Sequence, residues 1–248
     1  MKDNMEAVLI LLLLAAIVYM VMGEIKEPPK VSYKRLCDYY VPGSVYENPS
    51  DALGRGVRLM ELHVYGNEQD EPVVIFHPER RDDTNAVSFE SVCVKILNQA
   101  FPNNDPFILS IVPHTESSFV LNRVAESLKT TVHKHLLTPD GNSIALMSLD
   151  RLSNKLILVS GPEVRGTNLE PLINLSWGGS ELRRLNYLQA IHSREPEELA
   201  EFTENNLVLV APDAGFKRTD AHDDIYASGC QWNLFAAPGG QVGFIPRV

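Results

Sequence analysis

From Leu53 to His77 the chain reads LGRGVRLMELHVYGNEQDEPVVIFH, in which two hydrophobic runs, Val57 to Tyr65 and Val73 to Phe76, are parted by the polar stretch Gly66-Asn67-Glu68-Gln69-Asp70. The pattern predicts strand, turn, strand. Side chains alternate along a strand, so Leu59, Glu61 and His63 share one face while Met60, Leu62 and Val64 share the other. A carboxylate and an imidazole therefore stand side by side. A second imidazole, His77, closes the next strand just before Pro78, which has no N–H to continue a ladder. A histidine at a strand end is more often a hydrogen-bonded structural group than a ligand. Polar groups gathered at neighbouring strand ends are nevertheless how an α/β barrel builds a site.

Outward from this stretch, strand-like and helix-like segments alternate. Val31 to Val41 predicts a first strand ending at the turn Pro42-Gly43-Ser44, and Asn48-Pro49-Ser50-Asp51 caps a short helix. Val92, Ile96 and Leu97 give Ser88 to Ala100 a helical spacing. Phe107 to Val112 is an apolar run between two prolines, read as a strand with His114 and Glu116 beyond its end. Glu116 to Leu136 reads as a helix carrying His133 and His135, and Leu156 to Val159 as a strand, with Leu172 to Leu175 as a further short one. Glu181 to Ala190 contains strand-like material, Pro196 to Asn205 has the proline start and acidic first turn of a helix, and Leu207 to Val210 and Cys230 to Ala237 complete the series. About eight strands separated by helices of this length predict an α/β fold of the closed (β/α)8, TIM-type barrel kind rather than an open doubly wound sheet.

Composition narrows the function. The 248 residues are 44% hydrophobic and 22% charged, enough for one large domain with a full core. A net charge of −10 argues against a nucleic-acid partner held through phosphates and against electrostatic docking on an anionic membrane. Cys37, Cys93 and Cys230 are too scattered for a disulfide framework or a clustered zinc site. No P-loop, dinucleotide loop or nucleophile elbow is present.

The N-terminus brings a membrane in by another route. Ala7 to Met22 (AVLILLLLAAIVYMVM) is apolar on every face, close to the ~17 to 25 residues that cross a bilayer. The expectation is a tail over 1–6, one transmembrane helix over 7–23, a Pro28-Pro29 tether over 24–34 and the barrel over 35–248. A cleaved signal peptide, with the domain secreted, is the alternative. Lys26, Lys30, Lys34 and Arg35 beyond the span place the large domain on the cytoplasmic side of a single-pass protein. The sequon Asn174-Leu175-Ser176 matters only if the domain faces the lumen or exterior.

Two long runs, ALGRGVRLMELHVYGNEQDEPVVIFH and VSFESVCVKILNQAFPNNDPFILSIVPH, resemble the X region of phosphoinositide-specific phospholipase C, and Tyr226-Ala227-Ser228-Gly229-Cys230-Gln231-Trp232-Asn233-Leu234 resembles the strand that closes the same barrel in the Y region. The resemblance spans Leu36 to Ala237 and implies a PLC-like phosphodiesterase barrel. It also implies two acid–base histidines and a calcium ion held by an asparagine, a Glu-x-Asp pair and a further glutamate. Glu61 falls on the first acidic position and His77 on the second histidine. His63 stands where the second acidic ligand belongs. By the same likeness Cys37 takes the first histidine, Asp38 the asparagine, Val112 the last acidic ligand and Ser160-Gly161-Pro162 the head-group lysines. Leu209-Val210-Ala211-Pro212 replaces an Arg-Ile-Tyr-Pro strand.

A calcium site reduced to Glu61 and Asp38 should bind weakly, and without the basic residues an inositol phosphate loses its charge-assisted contacts. The leading expectation is a catalytically degenerate barrel with no cofactor, acting as a structural or scaffold protein in a membrane-associated assembly, for example in a virus with an internal membrane. The alternative is a metal-dependent hydrolase of a phospholipid or related phosphodiester. In it Asp38, Glu61 and His63 hold calcium or a transition metal, and His77 and His114 supply acid and base.

Overall fold

The computed structural model describes residues 34–76, 86–138, 140–212, 222–235 and 242–247. The chain divides into two compact units, Met1–Tyr33 and Lys34–Val248. The first unit, with the expected anchor and tether, lies outside the described residues, as does His77. Among the described residues no helix is long and apolar enough to cross a membrane.

The second unit is built on parallel strands. In chain order these are β1 (Tyr39–Pro42), β2 (Ser44–Val45), β3 (Leu59–Gly66), β4 (Pro72–Ile75), β5 (Ala86–Ser88), β6 (Phe107–Pro113), β7 (Leu156–Ser160), β8 (Leu175–Ser176), β9 (Leu182–Asn186), β10 (Leu207–Ala211), β11 (Trp232–Asn233) and β12 (Ile245–Pro246). Helices α1 (Pro49–Gly54), α2 (Phe89–Gln99), α3 (Ser118–Thr131), α4 (Tyr187–Ile191), α5 (Pro196–Asn205) and α6 (His222–Ala227) lie between them. One sheet runs β12-β1-β11-β10-β9; the other runs β5-β4-β3-β6-β7-β8 with β2 on β3. The antiparallel members, β4, β5 and β12, are additions to a barrel path of parallel strands.

The two sheets meet where β1 runs into β2. Val41 N donates to Gln231 O and Gly43 N to Asn233 O, so this strand bonds β11 on one side. Pro42 has no N–H for the other side, and pairing with β3 starts only at Ser44. The expected turn at Pro42-Gly43-Ser44 is therefore a strand crossing, and the first strand lies later than Val31 to Val41. Gly43 is needed there because a Cβ would stand 2.7 Å from Leu59 Cγ and 2.8 Å from Leu59 O.

Between β8 and β9 no ladder forms among the described residues, so the closed barrel expected from the strand count is open at that seam. The cause is local. β8 is two residues long and gives way to a turn closed by Gly179 N on Ser176 O, while the Glu181 carbonyl at the start of β9 accepts from Leu207 N on the β10 side.

Period-two alternation sorts the core. Leu59, Ile108, Ile157, Leu209 and Trp232 fill the barrel, with Ile144, Ala145 and Met147 sealing its floor. Met60, Leu62, Leu109, Ile111 and Leu158 face outward against Phe89, Val92 and Ile96 of α2 and Leu121, Val124 and Leu128 of α3. Val208 and Val210 pack on Tyr187, Ala190, Leu199 and Ile225 from α4 to α6. Strands covered on both faces read as unbroken apolar runs, as β6, β7 and β10 do. The helix expected over Glu116 to Leu136 is shorter, Ser118–Thr131, capped by the Ser117 hydroxyl on Val120 N. His133 and His135 consequently lie in the turns after it, with His135 stacked on Phe101.

Candidate functional site at the C-terminal mouth

The inward face of β3 changes from apolar to polar as it rises. Leu59 is in the barrel core, Glu61 is 3% exposed and His63 is 7% exposed. The β3–β6 register sets Glu61 beside Ser110 and His63 beside Val112. Ser110 Oγ donates to Glu61 Oε2 at 2.9 Å, and from β9 Arg184 Nη2 donates to Glu61 Oε1 at 2.7 Å. Both carboxylate oxygens are thus occupied by protein donors. Burial pushes the Glu61 carboxyl up, but His63, Arg184 and Ser110 outweigh it and hold it below the usual carboxylate range.

His63 leads from this pair to the surface. Its Nε2 is 3.4 Å from Glu61 Oε1, and its Nδ1 lies 2.7 Å from Nε2 of His114, which is exposed just past β6. His63 thus stands with one ring nitrogen towards a buried carboxylate and the other towards an exposed imidazole. The rings form a stack. His114 lies 4.5 Å from Tyr65 and 4.9 Å from His63, and Tyr46 lies 4.7 Å from His63 on the other side. Tyr46 holds a left-handed backbone (φ 58°), rare for a bulky residue. Trp177, just past β8, lies 5.2 Å from the Arg184 guanidinium carbon.

The structure brings together Glu61, His63 and His114, but not Asp38. Asp38 precedes β1, and its carboxylate is bound by Arg35, at the N-terminal end of the barrel. Glu61 pairs with Val45, seven residues later on the same strand path, a separation of roughly 20 Å at ~3.3 Å per residue. The site of Asp38, Glu61 and His63 expected for a metal is therefore not assembled, and Cys37 is buried at the same far end. The residue at the C-terminal end of the first barrel strand is Tyr46. The resemblance places Cys37 and Asp38 too early because Pro42 and Gly43, which ordinarily end a strand, here carry it from β11 to β3.

Other positions are equally informative. Val112 is half-buried and apolar, and the Ser160 hydroxyl is buried on Ile111 O. A side chain at Gly161 would meet the Glu163 carboxylate and the Trp177 indole as they stand, so a lysine there would require both to shift. Arg184, Trp177, Ser110 and Tyr46 escaped the sequence reading. Arg184 had a signal, since the alternation Leu182-Arg183-Arg184 puts it on the same face as core Leu182.

Calcium takes six to eight hard oxygens. Here one carboxylate is already engaged at both oxygens, a nitrogen and an apolar side chain occupy the adjacent positions, and no group of three or more His, Cys, Asp or Glu suited to a metal occurs among the described residues. Among the described residues the donor set does not fit the ion.

A parallel α/β barrel with its polar residues at the C-terminal mouth is the architecture of a TIM-type barrel protein. Residues 42–161, just under half of the chain, match the family model of the phosphatidylinositol-specific phospholipase C X domain. The match begins after Cys37 and Asp38. No curated protein matches by sequence. Among solved structures, S. officinalis PLC21 aligns with a TM-score of 0.66 at 15% identity over 82% of this chain and 34% of its own. The calcium-dependent phosphoinositol-specific phospholipase C of a Pseudomonas sp aligns with a TM-score of 0.58 at 13% identity over 88% and 97%. The phosphatidylinositol-specific phospholipase C from Listeria monocytogenes aligns with a TM-score of 0.55 at 12% identity over 86% and 93%. The chain spans about a third of the length of S. officinalis PLC21 and nearly all of the other two. At these identities the likeness is one of fold.

Proposed function

We propose that this chain is a PLC-type barrel from which calcium-dependent phosphodiester cleavage has lapsed, and that it works as a binding or structural module tethered to a membrane by residues 7–23. One observation carries the reading: Glu61, the acidic residue kept at the mouth, has its two oxygens taken by Arg184 and Ser110. An ion entering there would have to displace a guanidinium from a buried carboxylate and would find nitrogen and hydrocarbon beside it. Protein partners in a membrane-associated assembly, and a cytoplasmic orientation of the domain, belong to the same proposal.

A second reading has its own support. The chain Glu61–His63–His114 links a buried carboxylate through an imidazole to an exposed imidazole, an arrangement suited to general acid–base work on a phosphodiester. The test is turnover of phosphatidylinositol vesicles and of a generic phosphodiester by the full chain, with calcium or with chelator, alongside His63→Ala and His77→Ala. No release above blank is expected. Calcium-dependent release would sink the first reading, and chelator-resistant release abolished by His63→Ala would establish the second.

A further inference from the structure

Arg184 is placed as few strand arginines are. It follows core Leu182 on the inward face of β9, and its side chain is 22% exposed. Two fixtures orient it: the hydrogen bond of Nη2 to Glu61 Oε1 and the Trp177 ring beside the guanidinium. Among the described residues it donates no other hydrogen bond. A guanidinium carries five N–H donors in a rigid fork, so most of the fork is left for a ligand.

We propose that Arg184 is the resident cation of the mouth: its guanidinium, aimed by Glu61 and Trp177, takes a phosphate-type oxyanion directly, and its pairing with Glu61 shuts that position to a divalent metal. This rests on the preceding reading that the calcium route has lapsed.

Three features support the assignment. Arg matches the geometry of a phosphate oxygen pair, and a carboxylate partner that fixes the guanidinium reduces the rotamer freedom lost on binding. The imidazoles of His63 and His114 share the mouth and bring further ring nitrogens to the same place as the guanidinium. Glu61 is the carboxylate on the Arg184 guanidinium. Glu163 stands beside the Trp177 indole, but it is exposed and its charge is screened by solvent. The oxyanion could be a lipid head group or a soluble phosphate ester, since both present the same oxygens.

The experiment uses the full chain in detergent or nanodiscs. Inorganic phosphate and, separately, calcium are titrated by calorimetry, and retention on phosphatidylcholine vesicles with and without phosphatidic acid is measured with phosphate as competitor. The expected result is chelator-resistant phosphate binding, weakened about tenfold or more in Arg184→Met by loss of a charge-assisted contact, with no stoichiometric calcium heat. Arg184→Lys keeps the charge but loses the fork, and a several-fold weakening in it decides the matter if the methionine variant does not fold. Phosphate-competed retention on the acidic vesicles assigns a lipid head group; binding of free phosphate without retention assigns a soluble ester. Phosphate binding equal in wild type and both variants, no phosphate binding at all, or stoichiometric calcium binding would overturn the proposal. Turnover on phosphatidylinositol would instead sink the preceding reading, so the two failures are distinguishable.

Discussion

Replacing Arg184 by methionine should destabilise the domain in a way that reverses its response to acid. The substitution keeps much of the side-chain bulk and removes the guanidinium from a carboxylate that is only 3% exposed. Breaking a buried ion pair by deleting one partner costs about 3–5 kcal/mol. Arg184 is 22% exposed and Ser110 still donates to Glu61, which puts the expectation at the lower end, about 3 kcal/mol. In the wild type the Glu61 carboxyl lies below its unfolded value of ~4.3. Its contribution is therefore whole above ~pH 4.3 and is lost as the pH falls through the folded value. Without Arg184, burial is less opposed and the folded value rises above the unfolded one. Ionised Glu61 then destabilises the fold, and the variant gains from this group as the pH falls through that raised folded value. Urea denaturation of the full chain at a series of pH values reads both effects, and every other carboxylate cancels in the difference between the two proteins. The double variant Glu61→Leu with Arg184→Met should recover most of the loss, because removing both members of a buried pair is close to neutral. A loss under ~0.5 kcal/mol, or parallel pH slopes in the two proteins, would refute the reasoning.

Further outcomes follow from other contacts. Gly43→Ala should cost roughly 1–3 kcal/mol in the urea midpoint, because the new methyl meets the Leu59 backbone oxygen as well as Leu234 Cδ2 at 2.9 Å, and the backbone oxygen cannot swing away. Asn174→Ala should cost about 2–4 kcal/mol: its side chain accepts from Leu158 N and donates to Leu137 O, both at 2.8 Å, and both partners would be orphaned. The sequon asparagine is thus committed to the fold, and mass spectrometry of the folded protein from a glycosylating host should find it unmodified. Burial pushes the Cys93 thiol up to about 12 and the Cys230 thiol up to about 11, so thiol titration at pH 8 should be slow in the native protein and complete only in denaturant.

The barrel was legible because its strands are covered on both sides and because β3 alternates strictly: Met60, Leu62 and Val64 had to face the helices once Leu59 faced inward. Glu61 and His63 were legible for the same reason. Arg184 was harder to see, since its neighbour Arg183 pairs on the surface with Glu198 and makes the dipeptide look solvated. Asp38 was misplaced because proline and glycine ordinarily announce a turn, whereas Pro42 and Gly43 here serve a strand that changes partners. The bond between His63 and His114 joins residues 51 apart and depends on how far the chain travels after Pro113, which no local pattern encodes.

The charges at the mouth explain one another. A carboxylate as buried as Glu61 is untenable unless a cation and hydrogen-bond donors stand against it. In a barrel that holds a divalent ion, the ion can supply that charge; here the residue beside His63 is Val112, and the compensation comes from Arg184, across the open seam from β8. Because the guanidinium is covalently part of the chain, the carboxylate is neutralised on folding itself, with no dependence on ion concentration. A glutamate at this position therefore does not by itself signal a calcium site. It marks a carboxylate whose present partner, Arg184, lies 123 residues away in sequence.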